Sequence, residues 1–230
     1  MKLVSILGDS ISTFEGFNPP GYAVYYDKEL QALNGLSSVC DTWWAKVIRA
    51  LQAHLCMNNS YSGSLVTGDQ FPAGCSDERI DHLCSSGCDP DIILVYLGFN
   101  DFGYGVRLEN RTIREPLCFS DAYDLMLKKI KQRYPPAVVV CGTLMRTSIK
   151  DRDRWTFPEY YYDIPFESYN EVIRKVCGEN NGYLADIGTA GARYETLDGA
   201  HPTVRGHKTI AEAWIRYLKE SKLPILSPDL

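Results

Sequence analysis

The feature of the sequence that most constrains the fold is a short apolar run, residues 3–7, which ends at Gly8 and is followed at once by Asp9 and Ser10. An apolar run of this length that ends at a glycine is typical of a strand buried on both faces. Glycine has no Cβ and therefore permits a tight bend after the strand. Because ligands bind just outside the carboxyl ends of parallel strands, we expect Ser10 to lie at the edge of a ligand-binding crevice.

Four more runs of similar character alternate with helical patterns. Strands are predicted at residues 55–59, 92–97, 137–141 and 183–185. Helices are predicted at residues 43–51, capped by Asp41 or Thr42, at 77–83, at 120–130, capped by Ser120, at 166–176, and after the cap residue Thr203. Five strands alternating with helices predict an α/β fold, with a five-stranded parallel sheet inside a three-layer α/β/α sandwich.

Three stretches show neither a helical nor a strand period, and we predict them to be irregular. They are residues 14–42, 102–117 and 145–165. The first contains Tyr22, Tyr25 and Tyr26, which either cover the edge of the core or line a substrate site. Irregular segments of this length in a compact domain are usually functional or mobile.

Size and charge exclude several classes of protein. A chain of 230 residues fits one large domain, residues 1–230. The formal net charge of −5 leaves no basic surplus to neutralise phosphates, so we expect no nucleic-acid partner. No apolar run approaches the ~18 residues of a membrane span, so we expect no membrane partner either. No secretory signal precedes the first strand, which predicts a cytoplasmic location unless a signal was trimmed.

Cysteine and histidine positions offer one alternative interpretation. The 8 cysteines need not form disulfides in a domain this large. The residues His82, Cys84 and Cys88, with Cys75 nearby, could be interpreted as a zinc site. Their spacing lacks a pair of Cys-x-x-Cys motifs, so we favour structural roles and predict no metal or cofactor.

Three polar clusters follow predicted strands or precede a predicted helix. Ser10 is in the first, Asn100 follows the strand at 92–97, and Asp198 and His201 precede the last helix. Each cluster alone is an ordinary turn or cap. Together they supply a serine, an asparagine and an Asp/His pair, which are the parts needed for acyl transfer by a serine nucleophile.

The residue types suggest a role for each group. A serine hydroxyl is almost unreactive until a base removes its proton, so Ser10 needs a partner. Of the 4 histidines, only His201 lies at a loop-to-helix entrance with an acid three residues before it. An imidazole titrates near working pH and suits a general base. Asp198 would then hold the imidazole tautomer.

The sequence resembles the SGNH hydrolase family, also called GDSL esterases and lipases. Residues 8–11 read Gly-Asp-Ser-Ile, with Ile where many members have Leu. Residues 98–101 match the Gly-x-Asn-Asp block, and residues 198–202 match the Asp-x-x-His-Pro block. For the remaining block, the glycine after the second strand, residues 62–64 with Gly63 fit best, and Gly68 is the alternative.

The resemblance implies a flavodoxin-like strand order of 2-1-3-4-5. It also implies an oxyanion hole formed by the backbone N–H groups of Ser10 and Gly63 and the side-chain amide of Asn100. Asp9 and Asp101 would hold the turns that place Ser10 and Asn100.

We interpret the chain as a serine esterase for short-chain acyl esters, including O-acetyl groups on carbohydrate, so that its partner is a small-molecule or carbohydrate ester. Trp155 and Tyr161 stand among charged residues in the segment at 145–165, a mixture that suits sugar rings and also ordinary loop packing. A lipase would favour a long apolar lid, which the sequence lacks. A lipase or thioesterase, an acyltransferase with the same site residues, and an inactive binding module remain open, as does the oligomeric state.

Overall fold

The structure is a computed structural model that describes residues 2–85, 87–110, 117–221 and 223. The strands are β1 (Leu3–Gly8), β2 (His54–Ser60), β3 (Ile92–Tyr96), β4 (Val138–Gly142), β5 (Thr147–Ile149), β6 (Tyr160–Tyr161), β7 (Ile164–Pro165), β8 (Tyr183–Ala185) and β9 (Tyr194–Thr196). The α-helices are α1 (Lys28–Leu33), α2 (Trp43–Ala50), α3 (Asp77–Asp81), α4 (Phe99–Gly103), α5 (Phe119–Arg133), α6 (Phe166–Glu179) and α7 (Val204–Glu220). Short 3-10 helices span Ser10–Ser12, Val39–Asp41 and Ile187–Ala190.

The main sheet has five parallel strands in the order β2-β1-β3-β4-β8. Since β8 is the fifth predicted strand, both the predicted order and the predicted fold class are confirmed. Gly8, the last residue of β1, lies opposite Ser60 of β2 and Tyr96 of β3. The polar residues that follow these three strands therefore emerge at one edge of the sheet.

Helices cover both faces of the sheet. On one side α2 packs against α7, and on the other α5 packs against α3 and α6. The rings of Trp43 and Trp214 stack between α2 and α7, with centroids 5.4 Å apart. Thr42 and Thr203 cap these two helices by accepting backbone N–H groups of the first turn, as the sequence predicted.

Several local predictions were wrong. Helix α5 begins at Phe119, and the Sγ of Cys118 caps it, so that Ser120 lies inside the first turn. The first part of the loop predicted at residues 102–117 belongs to α4. Residues 111–116 of that predicted loop lie outside the described residues. The other two irregular segments contain α1 and β5 to β7. Helices α1 and α4 and strands β5 to β7 are too short to show a period in the sequence. They form because distant contacts stabilise them.

Gly142, at the end of β4, allows the main sheet to approach the α2–α7 layer closely. A Cβ at this position would overlap the Trp214 ring. We expect Gly142→Ala to lower the free energy of unfolding by about 1–3 kcal/mol, because the fully buried ring has no room to move. Gly178 in α6 has no atom near its would-be Cβ, so Gly178→Ala should gain up to about 1 kcal/mol from helix propensity. Urea unfolding of both variants checks this, and two variants of equal stability would contradict it.

Candidate active site

The turn that carries Ser10 follows β1 directly. The carboxylate of Asp9 accepts the N–H of Ile11 at 3.0 Å and caps the short 3-10 helix there. Gly8 is required by close approach, since a Cβ on it would lie 2.7 Å from the Oγ of Ser12. The turn brings the side chain of Ser10 to the sheet edge with 6% of the residue exposed.

Contacts from two neighbouring elements hold the far end of this turn. The carbonyl oxygen of Ser12 accepts the Nε1–H of Trp44 and the Nδ2–H of Asn58, both at 2.9 Å. Its hydroxyl oxygen accepts the Nε1–H of Trp43 at 3.1 Å. The turn therefore cannot shift without breaking contacts to both α2 and β2.

The structure brings together Ser10, His201 and Asp198, although 191 positions separate the serine from the histidine. The Oγ of Ser10 lies 2.9 Å from Nε2 of His201, and Nδ1 of His201 lies 2.6 Å from Oδ2 of Asp198. The other carboxylate oxygen, Oδ1, accepts the backbone N–H groups of Ala200 and His201. Both side-chain distances are within hydrogen-bond reach.

Charge and hydrogen bonding determine the tautomer of this imidazole. Although partial burial opposes it, the hydrogen bonds and charge of His201 and the N–H of Ala200 hold the pKa of Asp198 well below its usual range. An ionised carboxylate only accepts hydrogen bonds, so Nδ1 of His201 carries a proton. Its Nε2 is then free to accept the hydroxyl proton of Ser10.

The loop that carries His201 is fixed from two sides. The hydroxyl of Thr147 in β5 donates to the carbonyl of Gly199 at 2.8 Å. The hydroxyl of Tyr26 donates to the carbonyl of Pro202 at 2.7 Å, and the Tyr26 side chain is fully buried. Of the alternatives for Tyr26, the structure therefore favours the core position.

Asn100 lies at the start of α4, beside the loop that contains Gly63. Its Nδ2 donates one hydrogen to the carbonyl of Ser64 at 2.9 Å, which leaves the second hydrogen available. Gly63 has φ of +80°, a conformation that favours glycine. Within the described part of the chain, the N–H groups of Ser10 and Gly63 donate to no acceptor.

Asp101 ties the loop after β2 to α4. Its carboxylate accepts the backbone N–H groups of Val66 and Thr67 and the Thr67 hydroxyl. Burial raises the pKa of Asp101 to about 6, although these three hydrogen bonds oppose the shift. The side chain thus holds the loop in place, in agreement with its predicted role.

The buried Arg79 of α3, which the sequence did not single out, lies at the centre of this edge. Its guanidinium donates to the backbone carbonyls of Gly8, Asn59 and Pro72 and to the hydroxyl of Ser64. Burial lowers the pKa of Arg79 to about 10, so the group stays charged at neutral pH. No spacing signal distinguishes Arg79 from the exposed charges beside it in the sequence.

A cleft of about 470 Å³ adjoins the site. Its lining includes the polar residues Asn100 and Asp198. It also includes Phe157 and the two residues suggested by the sequence for substrate binding, Trp155 and Tyr161. Trp155 also lies against Gly199, where a Cβ would stand 3.4 Å from the ring.

The suggested zinc cluster does not form a metal site. Across residues 2–85, 87–110, 117–221 and 223, no group of three or more His, Cys, Asp or Glu side chains could hold a metal ion. The thiol of Cys75 donates a hydrogen bond to the carbonyl of Gly68, and Nδ1 of His82 lies 2.7 Å from the carbonyl of Glu78. All eight cysteines are free thiols.

The model of a protein family described as GDSL-like Lipase/Acylhydrolase matches residues 2–160 of the chain. The chain belongs to this family. The resemblance found in the sequence is therefore confirmed, and the GDSL-like chain is an ester-hydrolysing serine hydrolase. The matched segment contains Ser10, Gly63 and Asn100 but ends before Asp198 and His201. No curated protein matches the chain.

Solved structures similar to the GDSL-like chain include candidate GDSL-like lipases from two Bacteroides species. The protein from Bacteroides ovatus is 24% identical, with a TM-score of 0.72, over 96% of this chain and 99% of that one. The protein from Bacteroides uniformis is 27% identical, with a TM-score of 0.68, over 98% and 97%. A family two carbohydrate esterase from Clostridium thermocellum, solved in complex with cellohexaose, is 16% identical, with a TM-score of 0.59, over 96% and 64%.

In the part of the GDSL-like chain that the structure describes, no helix is both long and apolar enough to cross a membrane.

Asp9 gives a test of the electrostatics beneath the site. Burial raises the pKa of Asp9 to about 7, which Asp101 reinforces and the charge of Arg79 opposes. Between about pH 4 and pH 7 the folded protein therefore holds a proton that the unfolded chain releases. This contribution to stability is present below about pH 4 and is lost as the pH rises to about 7.

We expect Asp9→Asn, which cannot ionise, to gain stability relative to the wild type over this pH range, by on the order of a few kcal/mol. Any constant effect of the new amide cancels in the comparison between pH values. Urea unfolding of both proteins from about pH 4 to pH 8 measures the difference. A difference that does not change with pH would contradict the raised pKa.

Proposed function

We propose that this hydrolase cleaves short-chain acyl esters, including O-acetyl groups on carbohydrate, with Ser10 as nucleophile, His201 as general base and Asp198 as its partner. The hydrogen-bonded chain from Ser10 Oγ through His201 to Asp198 is the observation that carries the proposal. Its order and distances suit removal of a proton from the serine hydroxyl.

In the first step the Oγ of Ser10 attacks the ester carbonyl while its proton passes to Nε2 of His201. The imidazolium that results is stabilised by the carboxylate of Asp198. Collapse of the tetrahedral intermediate breaks the bond to the alcohol, which leaves with the proton from Nε2. At acidic pH a protonated His201 cannot accept the proton, so the rate falls.

The tetrahedral intermediate carries a negative oxygen that needs fixed donors. The N–H groups of Ser10 and Gly63 and the second Nδ2–H of Asn100 supply them in the proposed mechanism. Losing one such donor typically lowers the rate about 10²–10³-fold. In the second half of the reaction, water gives its proton to Nε2 of His201 and attacks the acyl-enzyme, and Ser10 is released with its hydroxyl restored.

The cleft supports a sugar as the alcohol part of the substrate. Its lining combines the rings of Trp155 and Tyr161 with the polar groups of Asn100 and Asp198. Flat aromatic faces beside hydrogen-bonding groups suit a ring with one apolar face. The carbohydrate esterase from Clostridium thermocellum shares only the fold at this identity, and the cleft is the feature that supports a sugar. A cytoplasmic location and the lack of a nucleic-acid or membrane partner stay predictions from the sequence.

The assignment of Ser10 can be tested directly. Ser10→Ala and His201→Ala should remain folded and lose on the order of 10⁴–10⁶ in turnover, because the nucleophile or its base is missing. An organophosphonate should label the wild type on Ser10 and leave Ser10→Ala unlabelled. His82→Ala serves as the histidine control and should keep full activity, since His82 directly follows α3 and its Nδ1 lies 2.7 Å from the carbonyl of Glu78. Activity of Ser10→Ala within about tenfold of the wild type would rule out the assignment.

The sugar hypothesis predicts a selective effect at the cleft wall. Trp155→Ala and Tyr161→Ala should lower kcat/KM for an acetylated sugar about five- to twentyfold and change that for nitrophenyl acetate much less. Tyr160→Ala is the matched control, because Tyr160 belongs to the same hairpin and does not line the cleft. Equal losses on both substrates would contradict a sugar site.

Rates that rise steadily with acyl chain length beyond about eight carbons would favour a lipase or thioesterase, since each buried methylene contributes about 0.8 kcal/mol.

A further inference from the structure

Tyr25 contacts both members of the His201–Asp198 pair, and the proposed mechanism assigns it no part. Its ring stacks on the imidazole of His201, with centroids 3.4 Å apart and planes 8° from parallel. Its hydroxyl donates to Oδ2 of Asp198 at 3.0 Å, the same oxygen that faces Nδ1 of His201. One side chain therefore touches the base through its ring and the acid through its hydroxyl.

The stacked ring favours the protonated imidazole. Aromatic pairs generally prefer offset or edge-to-face arrangements to a close face-to-face stack. A cation over the face of a phenol ring is attracted by the ring quadrupole. The contact between Tyr25 and His201 thus becomes more favourable once His201 has taken the proton of Ser10. An interaction that strengthens along the reaction raises turnover and leaves substrate binding unchanged.

The hydroxyl of Tyr25 acts on Asp198 in the opposite sense. Burial and the neighbouring carboxylate of Asp198 raise the pKa of Tyr25 to about 12, so the phenol stays a proton donor at working pH. By donating to Oδ2 it fixes the orientation of a carboxylate that is 41% exposed. It also competes with the imidazole for Oδ2 of Asp198, the oxygen that both groups contact.

Tyr25 is itself held against the turn of the nucleophile. Its backbone N–H donates to Oγ1 of Thr13 at 2.9 Å, and that hydroxyl donates to the carbonyl of Ser10 at 3.0 Å. The chain of contacts runs from Ser10 through Thr13 and Tyr25 to Asp198 and His201. The two halves of the site, which are far apart in the sequence, are joined by this side chain.

We propose that Tyr25 is a positioning residue for the hydrolytic reaction, whose ring stabilises the imidazolium of His201 and whose hydroxyl orients Asp198. The proposal rests on the function proposed above. Two substitutions separate the contribution of the ring from that of the hydroxyl. Phenylalanine at position 25 keeps the ring and removes the hydroxyl, whereas leucine removes both.

The other titratable groups around His201 do not obscure a measurement on its imidazole. Tyr26 and the buried His207 of α7 are close to the pair. Burial raises the pKa of Tyr26 and lowers that of His207 to about 3, so neither changes charge between about pH 4 and pH 9. Burial raises the pKa of Asp9 to about 7, so its titration could also change the rate in this range. The protonation of the His201 imidazole is therefore followed directly by NMR.

The test compares Tyr25→Phe, Tyr25→Leu and the wild type by steady-state kinetics and by NMR titration of the His201 imidazole, assigned with His201→Ala. We expect Tyr25→Phe to lower kcat about three- to tenfold with little change in KM, and to raise the imidazole titration midpoint by up to about one unit. Tyr25→Leu should lower kcat a further tenfold or so and bring the midpoint below that of Tyr25→Phe. Tyr26→Phe, which loses one hydroxyl contact to the same loop, should lower the melting temperature without moving the midpoint.

The outcomes separate this proposal from the function beneath it. If His201→Ala remains active, the proposed function fails and the role of Tyr25 fails with it. If His201→Ala is inactive but both Tyr25 variants match the wild type in kcat and midpoint, only the role of Tyr25 is overturned. A common loss of kcat in both variants with an unchanged midpoint would assign Tyr25 to the scaffold and would also overturn the proposal.

Discussion

The buried guanidinium of Arg79 joins the parts on which the site depends. It bonds the carbonyl of Gly8 at the end of β1, that of Asn59 near the end of β2, and the hydroxyl of Ser64 beside Gly63. A backbone carbonyl can accept two hydrogen bonds, and that of Gly8 accepts the N–H of Tyr61 as well as the guanidinium. The planar donors of arginine bond several such carbonyls at once. The position of Ser10 relative to the loop of Gly63 therefore follows from a fully buried residue that does not line the cleft.

This arrangement has an electrostatic consequence. Asp9 is fully buried next to Ser10, and neither Arg79 nor the N–H of Ile11 offsets the loss of water around its carboxylate. Asp101 is buried in the same region and accepts three hydrogen bonds. The two carboxyl groups and the guanidinium form one buried charge cluster in which no pair makes a direct ion contact. Such a cluster specifies one geometry of the turns at some expense of stability, which is a common compromise at functional sites.

The sequence predicted the sheet because most of its strands are apolar runs that end at glycine or polar residues. It predicted α2 and α7 because their apolar residues recur at helical spacing. It did not predict α4 or the short strands β5, β6, β7 and β9, whose few residues adopt their conformation through distant contacts. The residues brought together at the site were found from motifs at strand ends. Arg79 was missed because a charged residue on a short helix suggests a solvent-exposed face. Tyr25 was noticed, but which group it would contact depends on folding of the segment at residues 14–42.

The two sides of the site differ in how they are held. Ser10 lies in the turn that directly follows β1, which Gly8, Ser12 and Arg79 fix in place, and it is almost completely buried. Asp198 and His201 lie on a loop at the far end of the chain, and the Asp198 carboxylate is 41% exposed. Water competes for an exposed carboxylate, and side-chain freedom weakens an exposed pair. The loop therefore depends on contacts from outside it, and Tyr25 supplies one of them from the segment that follows Ser10. Because that segment also bonds Thr13, the link joins the turn of Ser10 to the loop of Asp198 and His201.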